Sequence, residues 1–234
     1  VLTMPGIAAD EAALLRQENY NAEVVWQRRV HDELMILRVR PDAGPLKLVA
    51  GQYTVLGLGN WEPRVPGVQK EALSDDEFRK VVRRAYSISC PLIGGDGQLI
   101  RVMGNPILEF YIALVREAKR RAPALTPRLF ALKTGDRLFV GRRFHGHYTT
   151  AVVRPGNDVV FAATGTGEAP HNAMLAELLA KGHRGRIASV VCVRRRADLA
   201  YLDVHRRLEK RHQNDRYVTL TTREPENTDR NLPN

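Results

Sequence analysis

Cysteine is nearly absent from this sequence: only Cys90 and Cys192 occur in 234 residues. They lie far apart, and neither has a Cys or His beside it at metal-ligand spacing. That excludes an iron–sulfur cluster held by these cysteines alone and points to a reducing, cytoplasmic setting. Long apolar runs are missing too. No stretch of 18 or more apolar residues occurs, so no membrane span is expected. The first 20 residues carry Asp10, Glu11 and Glu18 and lack a basic start followed by an apolar segment, so a secretory signal is not expected. Aromatic residues make up only 6%. They are not interleaved with the basic residues in the way that stacks nucleobases, which counts against nucleic acid as a partner.

What the chain has is positive charge. Lys and Arg number 36 against 26 Asp and Glu, a net charge of +10. A surplus of that size steers an acidic partner toward the protein, although it also serves solubility alone. Apolar residues at 44% and charged residues at 26% are ordinary for a globular protein. His145 and His147 share one face of an extended segment, but no third ligand stands near, and no metal site is expected.

Periodicity divides the chain in two. A helix is expected over 8–18. Strands follow at Glu23–Val30, at Glu33–Val39 and around Tyr53–Leu56 within Leu46–Leu58. Asn60–Lys70 reads as a loop, and Ser74 with Asp75, Asp76 and Glu77 as a helix start. Further strands are expected at Arg84–Ser89, Leu108–Val115, Arg137–Gly141 and Tyr148–Val153. Short strands of this kind imply an antiparallel barrel or sandwich. Beyond Arg154-Pro155-Gly156-Asn157 the pattern changes. Strands at Asp158–Ala163, Ile187–Val193 and Tyr217–Thr221 alternate with helices over Asn172–Lys181 and Leu199–Lys210, the pattern of a parallel α/β sheet. The expected division is a β domain over 1–154 and an α/β domain over 155–234.

Two stretches carry chemistry. In Phe161-Ala162-Ala163-Thr164-Gly165-Thr166-Gly167 an apolar strand runs into Gly-x-Gly and then a helix. Glycine lets backbone approach a ligand closely, and a helix start favours phosphate. The same pattern also has a plain structural reading, and it lacks the third glycine of the dinucleotide fingerprint. In Arg83-Arg84-Ala85-Tyr86-Ser87-Ile88-Ser89, a strand offers a cation, a ring and a hydroxyl, with an ordinary exposed strand face as the plain alternative.

In this order, and with Gly51-Gln52-Tyr53, Glu109-Phe110-Tyr111-Ile112-Ala113-Leu114-Val115, Leu125-Thr126-Pro127-Arg128-Leu129-Phe130, Leu132-Lys133-Thr134-Gly135-Asp136, Arg194-Arg195-Arg196-Ala197-Asp198-Leu199-Ala200-Tyr201 and Thr222-Arg223-Glu224, the sequence resembles the bacterial ferredoxin/flavodoxin–NADP reductase family over residues 22–224. The resemblance implies an antiparallel FAD-binding β-barrel followed by a parallel α/β domain for NADP(H). It implies an oxidoreductase, a ferredoxin–NADP reductase-like flavoprotein. Hydride would pass between nicotinamide and flavin N5, and electrons would pass to or from an acidic one-electron carrier, ferredoxin or flavodoxin.

By the same resemblance, Arg84 pairs with the FAD pyrophosphate, Tyr86 stacks on the isoalloxazine ring and Ser87 places its hydroxyl near N5, with Ala85 between them in contact with the cofactor. Phe110, Tyr111, Ile112 and Ala113 run along the flavin, and Leu125 and Thr126 contact its pyrophosphate. Thr164, Gly165, Thr166 and Gly167 pass the nicotinamide nucleotide. Arg194 and Arg223, with Arg195 as a weaker candidate, clamp the adenosine 2′-phosphate. The alternatives are a related NAD(P)H-dependent flavin reductase component serving a cytochrome or an oxygenase, and a non-catalytic flavin- or nucleotide-binding module of a larger complex.

Three stretches depart from the family. Glu168-Ala169-Pro170-His171-Asn172 differs from Gly-x-Ala-Pro-Phe, and His171 is expected to pack locally. Gly57–Val82 is longer than its counterpart, either an idle loop or part of a docking site. After Arg223-Glu224 the family continues with a helix, a strand and a C-terminal tail, whereas here the polar Glu226–Asn234 follows. The α/β domain is therefore expected to be C-terminally incomplete.

Overall fold

The computed structural model describes residues 7–44 and 47–228. Leu46 and the polar terminus from residue 229 onward lie outside the described residues. Helix α1 (Ala9–Asn19) precedes a set of six antiparallel strands: β1 (Ala22–His31), β2 (Leu34–Pro41), β3 (Tyr53–Gly59), β4 (Val81–Ser87), β5 (Leu108–Ala113) and β6 (Arg137–Val140). Two one-turn helices, α2 (Asp75–Phe78) and α3 (Thr126–Leu129), lie among them. The strand order is β4-β3-β6-β1-β2-β5. Just past the end of β4, the chain meets β5 at a bridge between Ser89 and Glu109, where the Ser89 N–H donates to the Glu109 carbonyl at 2.8 Å. That contact closes the barrel at one point.

Alternation of side chains fills the barrel. Val24, Met35, Leu37, Val39, Leu56, Leu58, Phe110, Ile112 and Leu138 are all buried. Gly51, at φ +99°, turns the chain into β3, where a Cβ would stand 2.0 Å from the Tyr148 carbonyl oxygen. Only glycine fits there. The Ser74 capping box starts α2 as its residues imply, with the Ser74 hydroxyl and the Glu77 carboxylate each accepting from the other's backbone N–H.

The second unit is a three-stranded parallel sheet, β7 (Val159–Thr164), β8 (Ile187–Val193) and β9 (Asp215–Thr221), in the order β7-β8-β9. Helices α4 (Glu168–Ala180) and α5 (Leu202–Arg211) connect the strands, and α6 (Pro225–Thr228) follows. Phe161, Val191 and Tyr217 are buried on one face, while Val160, Val218 and Leu220 are exposed on the other. Helix α4 starts four residues before the expected Asn172. Pro170 falls in its first turn, where a proline forfeits no intrahelical hydrogen bond. The strand expected at Tyr148–Val153 is absent: Thr150–Val152 forms a 3₁₀ turn instead. Its apolar residues Val152 and Val153 have no neighbouring strand to pair with, and Val152 is largely exposed.

The two units share one continuous core, in which Met174, Leu175 and Leu178 of α4 join Leu92, Val102 and Leu108 of the barrel. A buried polar chain also crosses the junction. Arg38 Nε donates to Glu109 at 2.7 Å, Glu109 accepts from the Tyr201 hydroxyl at 2.9 Å, and Tyr201 meets the Ser89 hydroxyl at 3.0 Å. Asn172 donates to Ser89 at 3.4 Å and contacts His205 at 3.0 Å. His205 lies 3.3 Å from Glu168, which accepts from the Tyr217 hydroxyl at 2.8 Å.

Candidate functional site

One cleft of about 510 Å³ opens beside β4. Residues 84 and 86 lie on the same side of the pleat, and Arg84 and Tyr86 both line it. The opposite wall is Val115 with the segment from Ala122 to Thr126. Thr126 is fixed there because its hydroxyl accepts from the Val115 N–H at 3.1 Å. Arg84 is exposed, and the one hydrogen bond its guanidinium makes among the described residues is to the Arg83 carbonyl at 2.7 Å. Tyr86 packs edge-on against Phe110 at 6.5 Å. Burial pushes its hydroxyl up to about 12, so the ring is neutral at every physiological pH. Lys80 and Arg121 add two cations, and Arg121 donates to Glu77 at 2.7 Å.

The segment Gly57–Val82 is part of this cleft. Asn60, Leu73, Glu77 and Lys80 line it. The loop is held by Glu71, which accepts from the buried Arg128 at 2.6 and 2.9 Å. Neither Lys80 nor Arg121 stood out in the sequence, because single basic residues in polar stretches carry no periodic signal.

Other expected flavin residues are placed differently. Ser87 is across the pleat from Tyr86 and lines none of the clefts described here. Phe110 and Ile112 point into the barrel core. Tyr111 and Ala113, on the other side of β5, line a second cleft with Thr164, Gly165 and Thr166. Ala113 and Leu114 line this second cleft and Val115 the first, so the end of β5 is a wall between the two. The Tyr111 hydroxyl donates to the Asp198 carbonyl at 2.8 Å. Ala85 is exposed on β4, and Gly167 lies in the 3₁₀ turn of Gly165–Gly167 that leads into α4. Gly165 takes φ +51°, which its lack of a Cβ permits. His171 is buried, stacked on Phe161 at 5.1 Å and 2.9 Å from the Tyr148 hydroxyl. Burial lowers its proton affinity, and it packs locally as expected.

A third cleft adjoins the second and shares His31, Glu33, Arg194 and Asp198 with it. Arg194, Arg195 and Arg223 line it together, so the structure gathers all three expected clamp residues. The backbone reason is direct: the Arg223 N–H donates to the Arg194 carbonyl at 2.8 Å, which continues the β8–β9 pairing past the strand ends. Arg116, Asp32 and Glu33 of the barrel form the facing wall. His31 Nε2 lies 2.9 Å from Asp198 Oδ1. Among the described residues, no helix is long and apolar enough to cross a membrane, and no group of three or more His, Cys, Asp or Glu could hold a metal ion.

A closed antiparallel barrel with an Arg-x-Tyr cleft, joined to a parallel sheet with a glycine turn and converging arginines, defines the class: a two-unit chain of the ferredoxin–NADP reductase fold. The family model for the oxidoreductase NAD-binding domain matches residues 161–232. The flavodoxin/ferredoxin–NADP reductase of Escherichia coli (strain K12) is 31% identical over 194 residues, covering 82% of this chain and 64% of its own length. That of Buchnera aphidicola is 26% identical over 205 residues, covering 87% and 70%. A solved ferredoxin NADP+ reductase from Neisseria gonorrhoeae with bound FAD and NADP superposes with a TM-score of 0.64 at 19% identity, over 88% of this chain and 70% of that one. Over most of its length the chain is therefore similar to ferredoxin/flavodoxin–NADP reductases. It spans between 64% and 70% of the length of these curated relatives.

Proposed function

We propose that this chain holds FAD in the cleft beside β4 and an NADP(H) nucleotide across the second and third clefts, and that it moves electrons between NADP(H) and an acidic one-electron carrier such as ferredoxin or flavodoxin. The observation that carries the reading is the pairing of Arg84 and Tyr86 on one face of β4, in a cleft that backs through the end of β5 onto Thr164–Thr166. The donor set fits the cofactor. The Arg84 fork keeps N–H groups for a pyrophosphate, the neutral ring of Tyr86 offers a stacking face, and the cleft volume falls within the roughly 300–1,000 Å³ range of cofactor sites. The flavin, when bound, supplies the exchange between two-electron and one-electron chemistry.

This chain's residues bind, orient and exclude water. Arg84, helped by Lys80, neutralises the pyrophosphate. Tyr86, braced by Phe110, fixes the plane of the ring. Leu125 and Thr126 close the far wall. Thr164 and Gly165 leave room for a nucleotide backbone, and Arg194 and Arg223 hold its phosphate. Ser87 is assigned to the flavin side by resemblance alone. Residues 1–154 would form the flavin unit and 155–234 the nucleotide unit, with Arg154-Pro155-Gly156 as the joint. The positive charge supports an acidic carrier. The free thiols of Cys90 and Cys192 suit the cytoplasm.

The test is the visible spectrum of the purified chain supplemented with FAD, followed without oxygen after NADPH and, separately, NADH. A flavin spectrum that bleaches faster with NADPH is the expected result. Failure to take up FAD would overturn the reading.

A further inference from the structure

The arginines of the α/β unit face a wall that belongs to the barrel. Glu33, in the turn between β1 and β2, receives a hydrogen bond from Arg116 Nε at 2.9 Å on Oε1, while its Oε2 stands 3.8 Å from Arg194. Arg194's other acid, Asp198, is also 3.8 Å away and already meets His31 at 2.9 Å. Arg194, with 54% of its side chain exposed, is therefore attracted to two carboxylates but hydrogen-bonded to neither. Two guanidiniums from different units flank one carboxylate, and that carboxylate marks the place and the size of an anion. A phosphate monoester is slightly larger, carries three acceptor oxygens and about twice the charge near neutral pH, and suits the guanidinium fork better than a 3.8 Å contact does.

We propose that Glu33 is the internal occupant of a phosphate site at the junction of the two units, that the 2′-phosphate of the nucleotide displaces it from Arg194, and that Arg116 then completes the cation set from the barrel side. This rests on the nucleotide reading above and deepens it. Arg116 favours the phosphorylated dinucleotide. Glu33 opposes it, because a carboxylate suits free ribose hydroxyls and repels phosphate. Because Arg116 and Arg194 belong to different units, the phosphate also draws the units together.

The test is calorimetric binding of 2′-phospho-AMP and of AMP to the whole chain and to Glu33→Gln, Arg116→Ala, Arg116→Lys and the Glu33→Gln/Arg116→Ala double variant. Glu33→Gln should bind 2′-phospho-AMP about tenfold more tightly and Arg116→Ala about tenfold more weakly, as removal of one close charge implies. The Arg116→Ala loss should persist in the double variant, where no Glu33 carboxylate is left to misplace. Arg116→Lys should retain most of the affinity, and AMP should bind the two Arg116 single variants as it binds the unaltered chain. If the unaltered chain binds 2′-phospho-AMP but the variants bind it equally, or Glu33→Gln binds it more weakly, the assignment of Glu33 and Arg116 is overturned and the nucleotide reading stands. If the unaltered chain binds neither compound, both are overturned.

Discussion

The Tyr201 hydroxyl donates a 2.9 Å hydrogen bond to the Glu109 carboxylate, fully buried, from the α/β unit to the barrel. Glu109 sits on β5 next to Phe110 and Tyr111, so this bond fixes the strand that separates the cleft beside β4 from the cleft at Thr164–Thr166. Burial pushes the Glu109 carboxyl above the usual range, and Arg38 opposes the shift.

Tyr201→Phe should cost about 1–3 kcal/mol of stability, the penalty for leaving a buried charged acceptor short of a donor. Chemical denaturation checks this. A loss below about 0.5 kcal/mol would mean that Arg38 and Ser89 satisfy Glu109 without Tyr201.

Arg128 is 2% exposed and paired with Glu71. Arg128→Ala should destabilise by about 3–5 kcal/mol, because it leaves the nearly buried Glu71 carboxylate with only Arg64, 3.5 Å away. It should also loosen the 60–73 loop and the cleft wall it forms. Replacing both partners by apolar residues of similar volume should recover most of the loss. Melting temperatures of the single and double variants distinguish the two cases.

Asp215 is fully buried at the start of β9, and neither of its carboxylate oxygens has a hydrogen-bond partner among the described residues. Burial raises it from 3.8 to about 6. A folded-state value above the unfolded one means that the folded chain binds more protons in between, so stability falls as pH rises from about 4 to about 6. Asp215→Asn should flatten that fall and be more stable than the unaltered chain at pH 7 by about 1–3 kcal/mol. Equal stability of the two proteins at pH 7 would show that the carboxylate is solvated or paired.

Tyr86→Ala and Arg84→Ala should each weaken FAD retention, by roughly tenfold or more for the loss of one charged hydrogen bond at Arg84. Equilibrium dialysis against free FAD measures both. Full occupancy in both variants at low FAD would move the flavin elsewhere.

Arg223→Ala should raise KM for NADPH well above its effect on KM for NADH. Equal changes for the two nucleotides would remove Arg223 from the phosphate clamp.

Much of the barrel and the parallel sheet was legible because buried strands alternate with period two and helices do not. β8 falls at its expected bounds, Ile187–Val193. The segment Tyr148–Val153 misled for the same reason: its apolar residues suit a strand, but pairing needs a neighbour, and sequence does not say which strand edges are free. Among the expected site residues, the shared placement of Arg84 with Tyr86 and of Arg194 with Arg223 was legible because each lies in a short motif whose spacing survives in the fold.

The sequence by itself determined which residues alternate, where the architecture changes from antiparallel to parallel, and which motifs resemble those of the reductases, because those properties depend on local periodicity and residue type. Only the tertiary structure decided that Ser87 turns away from Tyr86, that Phe110 and Ile112 fill the core while Tyr111 and Ala113 face Thr164, and that the 60–80 loop walls the cleft beside β4. It also brought Glu33 and Arg116 of the barrel opposite Arg194. These last residues are 78 or more positions from Arg194 and carry no local signal. What joins them is the packing of one unit on the other, and the distances at which charges act are set there rather than along the chain.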